Sequence, residues 1–365
     1  MHDASAPHAE RIGEFDALRG IAILFVMFLH AYFGPWNTTP HSELLFLHIT
    51  QLVANSAVPL FLFMSGFLSA RDRSPDFTTL IEARLRRLAV PLAFWMVVAL
   101  IFTVWREQRL TIETVGSFLT FNIAGQFYYV LVLMILTAAC YPLRHLSNDR
   151  LRLITIAAFV ANLAMIAWYE VYPVQGVLLS IAYRNPLVWV FSFTFGLYVA
   201  RTRGNVRFSP TIIAVATAAM VLDAAAYMLL GERSGYPNSY FGVTVFLFAA
   251  CGFVVYPAGL RALERTSVGH VSLAPFRALA PYAFGIYLVH KPYFVGVLSD
   301  ILVSDSSVAD DYIELVGSLF LVGGTLAIAF VVIVNWLLPR FGALMLGVDQ
   351  PHVAPRETAA VRPAP

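Results

Sequence analysis

The stretch that could do chemistry lies near the start of the chain: Phe15-Asp16-Ala17-Leu18-Arg19-Gly20-Ile21-Ala22-Ile23-Leu24-Phe25-Val26-Met27-Phe28-Leu29-His30. It is apolar enough to enter a membrane, yet it carries a guanidinium and an imidazole. Ionisable groups at membrane depth cost roughly 2.5 kcal/mol or more each unless they face a partner or a watery cavity, so both are candidates for function. Eleven positions separate Arg19 from His30. At about 100° per residue that is three turns plus about 20°, which puts both side chains on one helix face, roughly 16 Å apart along the axis. Asp16 falls within about 60° of the same stripe, one turn earlier, where it can pair with Arg19. His30 is a candidate general base, since desolvation favours the neutral imidazole that a base needs. Arg19 is a candidate for meeting a phosphate or polarising an extended donor molecule, or, paired with Asp16, for tying this helix to a neighbour.

Other residues could join them. Arg84 and Arg87 stand one turn apart with Arg86 between them and Arg71 and Arg73 upstream. Planar guanidinium groups grip phosphate oxygens bidentately, although positive-inside topology alone also enriches arginine in such a loop. Ser65-Gly66 offers a hydroxyl beside a close-approach position, with packing the plainer reading. Tyr287 and His290 lie one turn apart, followed by Lys291-Pro292; His290 either faces His30 across a cavity or sits at the interface. Asp223, inside Val221-Leu222-Asp223-Ala224, needs a partner or a proton; an acceptor cavity and Arg184 are both open to it. Cys140 and Cys251 lack any CxxC or His spacing, so neither a disulfide nor a metal site is expected.

The elements that position these residues follow from composition. Hydrophobic residues make up 59% of the 365 and charged residues only 13%, about half the charge of a soluble domain. The expected fold is all-α and polytopic, with spans near 15–34, 44–70, 88–105, 126–143, 151–172, 183–200, 211–230, 240–260, 278–299 and 313–338. Those ten helices would enclose a polar passage. With the N-terminus inside, 18 of the 24 Lys and Arg fall in the cytoplasmic loops and 4 in the outer ones, the bias expected of a correct span count with both termini cytoplasmic. Residues 1–12 read as a mobile arm, 13–345 as one transmembrane domain and 346–365, rich in Pro and Ala, as a disordered tail. The first helix reads as an anchor rather than a cleaved signal. The net charge of +2 carries no nucleic-acid signature.

Four segments in order resemble the membrane-bound acyltransferase-3 family, bacterial enzymes that O-acylate sugars, polysaccharides and other hydroxyl-bearing acceptors. The first is Phe15 to Ile23 with His30, matching the family's Arg-x10-His opening helix. The second is Val58-Pro59-Leu60-Phe61-Leu62-Phe63-Met64-Ser65-Gly66-Phe67-Leu68. The third is Arg84-Leu85-Arg86-Arg87 with Pro91, and the fourth is Gly285-Ile286-Tyr287-Leu288-Val289-His290. The resemblance implies a bacterial inner-membrane enzyme that moves an acyl group, acetyl first among the options, from cytoplasmic acyl-CoA to a carbohydrate hydroxyl. It implies no resident cofactor, a catalytic role for His30 and Arg19, and donor binding by Arg84, Arg87 and Ser65. Asp16, Tyr287, His290 and Asp223 would support the site or touch the acceptor. The residues alone leave a rival open, a transporter that passes protons or anions along Arg19, His30 and Asp223.

Overall fold

A computed structural model describes residues 13–31, 41–72, 74, 76–205, 207–234, 240–304 and 312–348. The arm at 1–12 and most of the tail from 346 lie outside the described residues. Leu346 and Val348 are described and buried, so packed structure runs a few residues past the expected boundary at 345.

The described chain is helical, with no strand. Its helices are α1 (Gly13–Ala31), α2 (His41–Ala54), α3 (Ala57–Arg71), α4 (Phe77–Arg84), α5 (Val90–Glu107), α6 (Ile112–Leu119), α7 (Tyr128–Ala139), α8 (Asn148–Val171) and α9 (Gly176–Arg184). They continue as α10 (Val190–Arg203), α11 (Pro210–Ser234), α12 (Val243–Glu264), α13 (Ser267–Leu279), α14 (Ala283–Val289), α15 (Gly296–Ser304), α16 (Tyr312–Ser318), α17 (Gly324–Leu337) and α18 (Pro339–Met345). Six runs are long and apolar enough to cross a membrane: Phe46–Arg71, Phe77–Glu107, Asn148–Val171, Pro210–Leu229, Val243–Glu264 and Ile313–Leu337. The other four expected spans fall on helices that are charged, short or interrupted: α1, α7, α10 and the α14–α15 run.

Turn chemistry explains several boundaries. The Asp76 carboxylate accepts from the Thr79 amide at 2.8 Å, Thr111 Oγ1 from Thr114 at 3.0 Å and Thr266 Oγ1 from Gly269 at 3.0 Å, each satisfying a free N–H at a helix start. Gly204, at φ +66°, closes α10 in the left-handed conformation that glycine adopts without penalty. Three wide π-type turns, Leu85–Ala89, His290–Val295 and Leu319–Gly323, interrupt otherwise α-helical runs. Each admits an extra residue and so rotates the next helical segment by about 100° relative to a continuous α-helix.

The core is aromatic and tightly crossed. Phe63 stacks on Phe253 at 5.0 Å between ring centroids, and Phe15 meets Phe67 edge-on at 4.9 Å. Where α3 crosses α10, the approach is reciprocal. A Cβ at Gly66 would lie 2.0 Å from the Phe193 carbonyl oxygen, and one at Gly196 would lie 2.0 Å from that of Phe63. Gly20 meets the Phe276 carbonyl of α13 in the same manner, at 1.9 Å. Small residues let membrane helices close to backbone contact. Gly66→Ala should therefore push α3 and α10 apart and destabilise the protein by about 1–3 kcal/mol, the usual range for overpacking. A thermal unfolding scan in detergent that found no change would contradict this backbone contact.

Candidate active site

Two cavities lie end to end inside the helix array. One, of about 160 Å³, is lined by Arg19, Ser65, Arg84, Arg87 and Pro281, among others. The second, of about 290 Å³, is lined by His30, Gln51, Asn55, Gln126 and Lys291, among others. Val26, Val58, Tyr129 and Tyr287 line both. They form the waist at which the two chambers meet, so α1 presents Arg19 to one chamber and His30 to the other. The waist is braced: the Tyr287 hydroxyl donates to the Gln126 carbonyl, the Gln126 side-chain amide reaches back to the Tyr287 carbonyl at 3.5 Å, and the Tyr129 and Tyr287 rings meet edge-on at 5.6 Å.

At the histidine end, α1 and the wide turn that follows α14 bring His30 and His290 together. His290 is fully buried. Its Nδ1 lies 3.0 Å from the carbonyl oxygens of both Ile286 and Tyr287, and its Nε2 lies 3.2 Å from His30 Nδ1. Carbonyl oxygens only accept, so in the neutral ring His290 Nδ1 carries the proton and Nε2 is bare. His30 Nδ1 faces that bare nitrogen and the Val26 carbonyl at 2.8 Å. Two acceptors require a proton between them, so His30 Nδ1 is the donor and its Nε2 keeps a free lone pair. The histidine pair thus fixes the tautomer a general base needs, much as an orienting partner does in other histidine catalysts.

At the arginine end, the guanidinium groups sort into two sets. Arg71 donates to the Gly204 carbonyl, Arg144 to the Asp72 carbonyl and Arg201 to the carbonyls of Arg144 and Leu146; these lace the loops together. Arg19, Arg84 and Arg87 line the chamber instead. Arg84 is steadied by Asp72 at 3.5 Å, with both side chains about a quarter exposed. The wide turn at Leu85–Ala89 comes directly after Arg84 and carries Arg87.

Asp72 belongs to the loop after α3. Partial burial pushes its carboxyl up, but hydrogen bonds from the Ser74 hydroxyl (2.6 Å) and amide (2.9 Å), with Arg84 and Arg144 nearby, outweigh burial and leave it below the usual aspartate range. A carboxyl depressed on folding stabilises above its unfolded pKa of about 3.9 and loses that contribution as pH falls through the lower folded value. Asp72→Asn is expected to flatten the acid limb of a plot of melting temperature against pH. An unchanged limb below about pH 4 would show that Asp72 carries none of it.

Ser65 lines the arginine-end chamber beside the waist, next to Gly66 at the α3–α10 crossing. Asp16 is half-buried one turn before Arg19 and lines neither chamber. Asp223 lines neither chamber either; it sits on α11 with one carboxylate oxygen buried and without a hydrogen bond among the described residues. Its other expected partner, Arg184, instead donates to the Thr120 and Ser180 carbonyls and to Asn122. The apolar surroundings of Asp223 can be read from the sequence, but its distance from the passage depends on how α11 packs. Sequence reasoning misses Gln51, Asn55, Gln126 and Tyr129, although polar side chains within or at the edge of apolar runs are a signal for them.

The sequence profile of the Acyltransferase domain family matches residues 12–337. The chain belongs to the acyltransferase-3 family. No curated protein and no solved structure matches it. The protein is therefore a membrane acyltransferase.

Proposed function

We propose that this acyltransferase-3 protein is an O-acyltransferase of the bacterial inner membrane, with both termini cytoplasmic. It takes an acyl group, acetyl in the simplest case, from cytoplasmic acyl-CoA to a hydroxyl of a sugar or polysaccharide. Acyl-CoA is a co-substrate, and no resident cofactor is required. Its phosphates would be held by Arg84 and Arg87, with Arg19 further along the chamber and Ser65 beside the waist. The unbranched pantetheine would pass Tyr129 and Tyr287, and the thioester would arrive near His30. The acceptor hydroxyl gives its proton to His30 Nε2 as its oxygen bonds to the acyl carbon; the C–S bond breaks and the proton passes on to the coenzyme A thiolate. His290 holds the His30 ring in the competent tautomer. What supports the reading is His30, held by His290, in a chamber that shares four lining residues with a chamber lined by three arginines.

The test uses the full chain in proteoliposomes with labelled acetyl-CoA and a panel of sugar acceptors. Thiol release that depends on acceptor, with label appearing on the sugar, supports transfer. Passage of protons or anions across the bilayer without thioester cleavage would replace it with transport.

A further inference from the structure

The histidine-end chamber has a charge imbalance that base chemistry does not account for. Lys291 lines it and makes no ion pair or hydrogen bond among the described residues. No Asp or Glu is found among the described residues of the lining. A half-buried ammonium without a counter-ion is costly, and such cations persist where a ligand supplies the opposite charge.

Two features keep Lys291 where it is. The wide turn that begins at His290 sets the residues after it on a new heading, so His290 faces His30 while its neighbour lines the chamber. Across from it, Gly125 has φ +71°, and a Cβ there would lie 2.8 Å from the Lys291 nitrogen. Glycine at 125 thus permits the backbone conformation and leaves room for the ammonium. A second cation, Arg184, stands nearby, bonded among the described residues to carbonyl and amide oxygens: Thr120 at 2.9 Å, Ser180, and Asn122 at 3.5 Å. Ser180 and Asn122 both belong to the chamber wall.

The rest of the wall suits hydroxyl groups. Gln51, Asn55 and Gln126 are 2–3% exposed. Gln51 Oε1, Asn55 Nδ2 and Gln126 Oε1 are buried without a hydrogen-bond partner among the described residues. Two acceptors and one donor left unsatisfied in one cavity call for a ligand that both donates and accepts, as a polyol does. At about 290 Å³ the chamber is at the small end of ligand pockets, roughly 300–1,000 Å³, and suits a single sugar unit.

We infer that the acceptor is a hydroxylated organic anion, a sugar unit carrying a carboxylate or a phosphate, whose charge is read by Lys291 beside the reacting hydroxyl. This rests on the proposal that the histidine-end chamber receives the acceptor, and it adds the charge of that acceptor.

Equilibrium binding separates the two. The full chain in nanodiscs is titrated with methyl β-glucuronide, glucose 1-phosphate, neutral methyl β-glucoside and cationic glucosamine. At least one anionic sugar should bind about tenfold or more tighter than the glucoside, the scale of one charge-assisted hydrogen bond. The carboxylate and phosphate arms identify which anion is read. Lys291→Met should bring the ratio of anionic to neutral affinity near one, and Lys291→Arg should keep it. Anionic and neutral sugars binding alike to the unaltered protein, or a preference that survives Lys291→Met, would overturn the inference. Acetyl transfer is scored separately on the same samples, so a protein that prefers anions but cleaves no thioester counts only against the transfer mechanism.

Discussion

Replacing His30 with alanine is expected to lower acceptor-dependent acetyl transfer by about 10²–10⁴-fold, the usual contribution of a positioned general base, while leaving the KM for acetyl-CoA within about threefold. The split arises from geometry. His30 lines the chamber beyond the Tyr129–Tyr287 waist, whereas the arginines that would hold the nucleotide line the other. A residue that acts only as the reaction proceeds lowers kcat and kcat/KM together. His290→Phe should cost less, because it leaves the His30 base in place but removes the acceptor that helps fix its tautomer at 3.2 Å. Thiol release by purified variants, with folding checked by melting temperature, measures both. A well-folded His30→Ala enzyme turning over within tenfold of the parent would move the base elsewhere.

The second large effect concerns the donor. Arg84→Ala or Arg87→Ala should each raise the KM for acetyl-CoA by about 10–100-fold, since a hydrogen bond to a charged group contributes roughly 1.5–3 kcal/mol. Arg71→Ala should change it by less than about threefold and act instead on stability, because its guanidinium is bonded to the Gly204 carbonyl. Initial rates over a range of acetyl-CoA concentrations distinguish the two sets. Equal effects at Arg71 and Arg84 would mean that a diffuse positive field, rather than two placed guanidinium groups, recruits the nucleotide.

The sequence carries the periodic part of this arrangement and misses the part made by packing. Arg19 and His30 share a face because 3.6-residue periodicity holds along α1, and the helical class comes from composition alone. Helix breaks are less visible. Asn55-Ser56 divides the expected 44–70 span into α2 and α3; Pro59, four residues after Asn55, is the one sequence signal for that break, because it cannot donate to the Asn55 carbonyl. The three wide turns are marked only by nearby Pro91, Pro292 and Gly323-Gly324, which signal an interruption but not an extra residue, yet one carries Arg87 and another begins at His290. Helix α13, Ser267–Leu279, lies in a stretch that reads as a loop, since a short amphipathic helix that contains Gly269 and Pro275 resembles a connection. Tyr129 passes as core because a tyrosine beside Val130 and Leu131 looks like filling; only the fold reveals that its ring lies between two chambers. Arg84 cannot be separated from Arg71 by charge, because the distinction depends on which carbonyls lie within reach.

The neck at Val26, Val58, Tyr129 and Tyr287, whose side chains line both chambers, has a kinetic consequence. If acyl-CoA is the donor, as proposed, its slim thiol arm lies across that neck while its adenine nucleotide stays with the arginines. On the proposed reading the spent carrier backs out on the arginine side, by which it came, while the modified acceptor leaves from the histidine side. Neither reactant then blocks the opposite doorway, so a surplus of one should not choke the turnover of the other.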